Sequence, residues 1–93
     1  MVKVTEKEME FLQKIVTSDF SYDGWGFTDY ITDYDYDMKV IRGLISSLVQ
    51  KGIITHEENS GVTDEKGRYM ACAEIAEEYS DIKNHKLINI EVA

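Results

Sequence analysis

The stretch from Met38 to Ile53 constrains this chain more than any other. Met38, Val40, Ile41, Leu44, Ile45, Leu48 and Val49 share one broad face when residues are placed ~100° apart. Lys39, Gly43, Ser46 and Gln50 take the opposite face, flanked by Arg42 and Ser47. Such a pattern fits a helix with one apolar side. Asp35 or Asp37 suits its N-cap, where an acid also meets the positive end of the helix dipole. Gly52 suits the left-handed residue after its end, with Ile53 folding back onto Leu48 as in a Schellman motif. A chain of 93 residues has room for one core, and this helix must cover it.

The rest of the chain is read around that helix. Thr5-Glu6-Lys7-Glu8 has the form of a capping box, and Met9, Phe11, Leu12, Ile15 and Val16 follow, predicting a first helix over residues 5–17. Residues 18–36 read as loop with short elements: a strand at Trp25-Gly26-Phe27, then a brief second helix capped by Thr28 and running through Tyr30 and Ile31. After Gly52, Ile53-Ile54-Thr55-His56 begins a strand. The polar residues 57–67 form a long turn region, and Arg68-Tyr69-Met70-Ala71-Cys72 is the predicted return strand. Residues 73–79 read as a helix with Ile75, Ala76 and Tyr79 on one side. Alternating Ile88, Ile90 and Val92 predict a last strand.

Charge divides the chain sharply. The formal net charge is −8, which opposes general affinity for a phosphate backbone. Residues 15–38 carry six aspartates and no Lys or Arg, whereas residues 39–56 carry Lys39, Arg42 and Lys51 and no acid. Contact with nucleic acid is thus confined to one narrow face. No apolar run approaches the ~18–20 residues of a membrane helix, and the first residues lack a signal-peptide pattern. With Cys72 as the single cysteine, a reducing, cytoplasmic setting is expected.

Arg42-Gly43-Leu44-Ile45-Ser46-Ser47-Leu48-Val49-Gln50-Lys51-Gly52-Ile53-Ile54 resembles the recognition helix and wing entry of MarR-type regulators. It is still more similar to a group of small, functionally unassigned winged-helix proteins of bacteria and their phages. That resemblance implies a single α+β domain over residues 1–93. Its form would be a winged helix-turn-helix: three helices plus a β-hairpin wing and a C-terminal helix or strand. It implies a third helix in the major groove, with Lys39, Arg42, Ser46, Ser47 and Gln50 as contacts, and Lys66 and Arg68 of the wing on the backbone of double-stranded DNA. A homodimer through the C-terminal segment is compatible with this reading. Two features depart from the pattern. The chain is too short for the dimerisation helices of MarR-type proteins, and Glu57, Glu58, Asp64 and Glu65 would face phosphates unfavourably.

Several residues carry competing readings. Lys39, Arg42 and Gln50 either solvate a helix or enter a groove. Gly43 costs a helix ~1 kcal/mol relative to alanine, which either a close partner or close packing inside the fold would explain. Residues 20–37 hold seven of the ten aromatics. Asp23, Trp25, Asp29, Tyr30, Asp33, Tyr34, Asp35, Tyr36 and Asp37 suit an acidic surface for a basic host protein, as in a phage nucleic-acid mimic or anti-defence protein. Asp33-x-Asp35-x-Asp37 lacks the glycine and glutamate of a calcium loop, because Met38 and Leu44 stand there. His56, Cys72 and His85 are too scattered for zinc, and no nucleophile–base pair or phosphate loop is recognisable. Neither cofactor, metal nor catalysis is expected.

Overall fold

Thr5 and Glu8 start the first helix as a reciprocal pair. The structure is a computed structural model that describes residues 1–17, 25–27 and 38–93. In it the Glu8 amide donates to Thr5 Oγ1 at 3.1 Å, and the Thr5 amide donates to Glu8 Oε1 at 2.8 Å. Helix α1, Glu6–Thr17, buries Phe11, Leu12, Ile15 and Val16. Helix α2, Met38–Gln50, contributes Ile41, Leu44 and Leu48 to the core. The Gly52 amide donates to the Val49 carbonyl and the Ile53 amide to the Leu48 carbonyl, both at 3.0 Å. With Gly52 at φ +75°, these are the two bonds of the Schellman motif. Val49 is 44% exposed, because it lies on the rim of the apolar stripe rather than at its centre.

Gly52 turns the chain into a three-stranded antiparallel sheet. Strands β2 (Trp25–Phe27), β3 (Ile54–Glu57) and β4 (Cys72–Ile75) run in the order β2-β4-β3. Ile54 pairs with Ile75 and His56 with Ala73, while Thr55 pairs with Glu74 and Glu57 with Cys72. Period-2 alternation puts Ile54, Ala73 and Ile75 in the core and leaves Thr55, Glu57 and Glu74 exposed. Residues 58–71 form a second tier of the hairpin. Thr63 bridges Tyr69, the Asp64 amide donates to the Arg68 carbonyl at 2.8 Å, and Asp64 Oδ1 accepts from the Lys66 and Arg68 amides.

The C-terminal part is built from short pieces. Two 3₁₀ turns, Glu77–Tyr79 and Ile82–Asn84, flank strand β5 (Ser80–Asp81), which pairs with β6 (Lys86–Leu87). Strand β7 (Ile90–Val92) then lies parallel to β1 (Val2–Val4), with Lys3 and Glu91 bridged at 3.2 Å on the surface.

The architecture is α+β, but it corrects the winged helix-turn-helix expected from the sequence. The described residues hold two α-helices and several short strands, not three helices with a wing and a C-terminal helix. Residues 73–79, read as helix, are the end of β4 and a 3₁₀ turn. The physical reason is local. A two-turn helix is marginal alone, whereas β4 is central, and its backbone is paired on both sides. The return strand also begins later than expected, at Cys72 instead of Arg68, because Ala73 and Ile75 supply the inward residues that fix its register. Strand β1 adds to the elements expected from the sequence. The brief second helix around residues 28–31 and the Asp35 or Asp37 cap lie outside the described residues. No described helix is long and apolar enough to cross a membrane.

Candidate nucleic-acid interface

The face of α2 turned away from the core is polar and free of acids. Lys39, Arg42, Gly43, Ser46 and Gln50 are all exposed along it. The spacing 39, 43, 46, 50 keeps these residues in one row, with Arg42 beside it. Among the described residues, neither Lys39 nor Arg42 enters an ion pair. In a chain with 18 acids, α2 itself carries none, so its outward face holds cations without an acid among the helix's own residues.

Gly43 sits near the middle of that row. A Cβ built there would meet nothing within 4 Å. Packing therefore does not require the glycine, and its cost to the helix has no return inside the described fold.

Ser47 belongs elsewhere. Its hydroxyl donates to Glu8 Oε2 at 2.7 Å, and Lys51 Nζ donates to Glu8 Oε1 at 2.7 Å. Glu8 is 2% exposed, so α1 buries a carboxylate against the last turn of α2. Burial alone would raise its pKa. The hydrogen bonds from Lys51, Thr5 and Ser47, with the Lys51 charge, outweigh that and hold it below the ordinary 4.5. The sequence shows Glu8 as a capping residue but hides this second role. The available signal is phase: Glu8 precedes Phe11, Leu12 and Ile15 by three, four and seven residues, which puts it on the buried stripe.

Lys66 and Arg68 are exposed in the second tier of the hairpin, with Tyr69 beside them 60% exposed. The turn at Asp64 fixes their backbones. Their amides, and the charges of Arg68 and Lys66, hold the Asp64 carboxyl below its ordinary range. Of the seven positions read as DNA contacts, α2 presents four together (Lys39, Arg42, Ser46 and Gln50), the hairpin presents two, and Ser47 is taken by Glu8. The Trp25 backbone lies in β2, but its side chain is outside the described residues. So are Asp23, Asp29, Tyr30, Asp33, Tyr34, Asp35, Tyr36 and Asp37.

Among the described residues, no three His, Cys, Asp or Glu side chains are placed to hold a metal. Cys72 is half-buried, and burial together with Glu57 and Glu74 raises its thiol pKa, the opposite of what an activated nucleophile needs. No protein-family model matches the chain, and neither a curated protein nor a solved structure matches it.

Proposed function

We propose that this chain is a small non-enzymatic DNA-binding module of the kind that regulates transcription, and that it uses the outward face of α2. The observation that supports this reading is the acid-free row in which Lys39 and Arg42 have no ionic partner among the described residues, with a glycine at its centre that packing does not require. Gly43 lets a phosphate backbone or a base edge approach the helix closely. Arg42 and Gln50 supply side chains suited to base edges, while Lys39 and Ser46 suit phosphate. Lys66 and Arg68 on the hairpin offer a second backbone contact. The remaining negative surface restricts the complex to this side of the molecule and makes it depend strongly on salt.

The test is a mobility shift with labelled duplex at about 50 mM salt, where electrostatic attraction is strong. The protein is expected to shift the duplex, and Arg42→Glu to abolish the shift without changing the melting temperature. Absence of a shift from the unaltered protein under those conditions would end the proposal.

A further inference from the structure

The three-stranded sheet has an outer face and an edge that nothing described so far employs. In the β3–β4 ladder, the Ala76 amide donates to the Ile53 carbonyl at 2.9 Å, one pair before Ile54↔Ile75. Hydrogen-bonded and non-bonded pairs alternate along an antiparallel ladder. Thr55 and Glu57 therefore turn their backbone groups toward β4, and His56 turns its N–H and C=O away from it. Strand β3 is at the edge of the sheet, and no described hydrogen bond ends on the His56 backbone from that side. Ile54, next along the edge, is only 3% exposed, so the open part of the edge centres on His56.

Beside this edge, the outer face carries a cleft of about 210 Å³ lined by Thr55, Glu57, Ser60, Cys72 and Glu74. Glu57 and Glu74 are diagonal neighbours across β3 and β4, because Thr55 is opposite Glu74 and Glu57 opposite Cys72. Their side chains share one face, within ~7–8 Å at the backbone. No described cation pairs with either carboxylate. Two like charges thus flank a cleft whose remaining lining is Thr55, Ser60 and Cys72.

We propose that β3 accepts an extended segment of another protein as an added strand, and that a lysine or arginine of that segment enters the cleft between Glu57 and Glu74. Main-chain bonds to His56 supply the register, and the paired carboxylates select the side chain. A second copy of this chain is the wrong occupant. It would bring its own Glu57 and Glu58 to the same edge, within a molecule of net charge −8. The surface is independent of the α2 face, so Arg42→Glu leaves it intact.

The probe is a fluorescein-labelled heptapeptide alternating arginine with valine, followed by anisotropy. Controls are the same peptide N-methylated at its central residues and a peptide with glutamate replacing arginine. Saturable binding is expected, weakened at least about tenfold by Glu57→Gln with Glu74→Gln and by N-methylation. Hydrogen exchange of the His56 amide should slow in the complex, while that of Thr55, already in the ladder, changes little. The proposal is overturned if the arginine peptide fails to bind, if the glutamate peptide binds equally well, or if N-methylation leaves affinity unchanged. N-methylation alters only the peptide, so that arm holds whatever the substitutions do to folding.

Discussion

Lys51 and Arg42 belong to the same short basic stretch, yet the fold uses them in opposite ways. Lys51, at the end of α2, is bound to a carboxylate that is almost wholly buried, with side-chain exposures of 33% and 3% for the pair. Arg42, about two and a half turns earlier and so on the outward side, has no ionic partner among the described residues. One cation ties two helices together; the other faces outward from the core. A count of basic residues treats them alike. Only the phase of each on the helix separates them, since Lys51 follows Ser47 by one turn on the side facing α1.

That contrast is broken most severely at Lys51. Lys51→Met would leave Glu8 buried without its counter-charge, and removing one partner of a buried pair costs about 3–5 kcal/mol. Because Lys51 is one-third exposed, about 2–3 kcal/mol is expected here. Urea denaturation gives the value, and a loss below about 0.5 kcal/mol would show that water replaces Lys51 without penalty. Arg42→Met, the matching change on the outward face, is expected to stay within about 0.5 kcal/mol of the unaltered protein.

Acid should reach the same clamp more gently. The folded pKa of Glu8 is depressed, so its contribution to stability is present above the unfolded value near 4.5 and is lost as pH falls through the folded one. Glu8→Gln removes that dependence. The stability difference between the two proteins should therefore shrink below pH 4.5. Parallel melting-temperature curves from pH 7 to pH 3 would mean that Glu8 does not titrate with folding.

The same two sides of α2 explain what the sequence could and could not disclose. Signals confined to a few neighbouring residues were legible: the Thr5–Glu8 box, the stripe through Ile41, Leu44 and Leu48, the Gly52–Ile53 ending and the strand at Trp25–Phe27. Pairings between distant residues were not. Ala73-Glu74-Ile75-Ala76 fits either period over so short a span, and only β2 and β3, far away in sequence, decide for a strand. Strand β1 needs β7 from the other end of the chain. Among the candidate contacts the same limit applied. Exposure of Lys39, Arg42, Ser46 and Gln50 followed from helix phase, but capture of Ser47 depended on a carboxylate 39 positions earlier.

The effect expected at Gly43 is smaller than that at Lys51, and it is the most discriminating. Alanine has no neighbour to strike there, because a Cβ at that position meets nothing within 4 Å. Gly43→Ala should therefore stabilise α2 by up to about 1 kcal/mol, through helix propensity alone. If the outward face were merely solvated, the substitution would be pure gain. If DNA comes close to the helix backbone there, the added methyl group instead separates Arg42 and Ser46 from their contacts. Binding then weakens in a protein that has become more stable. Stability and affinity moving in opposite directions is a signature that neither a solvated helix nor a damaged fold produces. Duplex affinity that holds or improves along with the melting temperature would remove Gly43 from the interface and leave Arg42 as its remaining support.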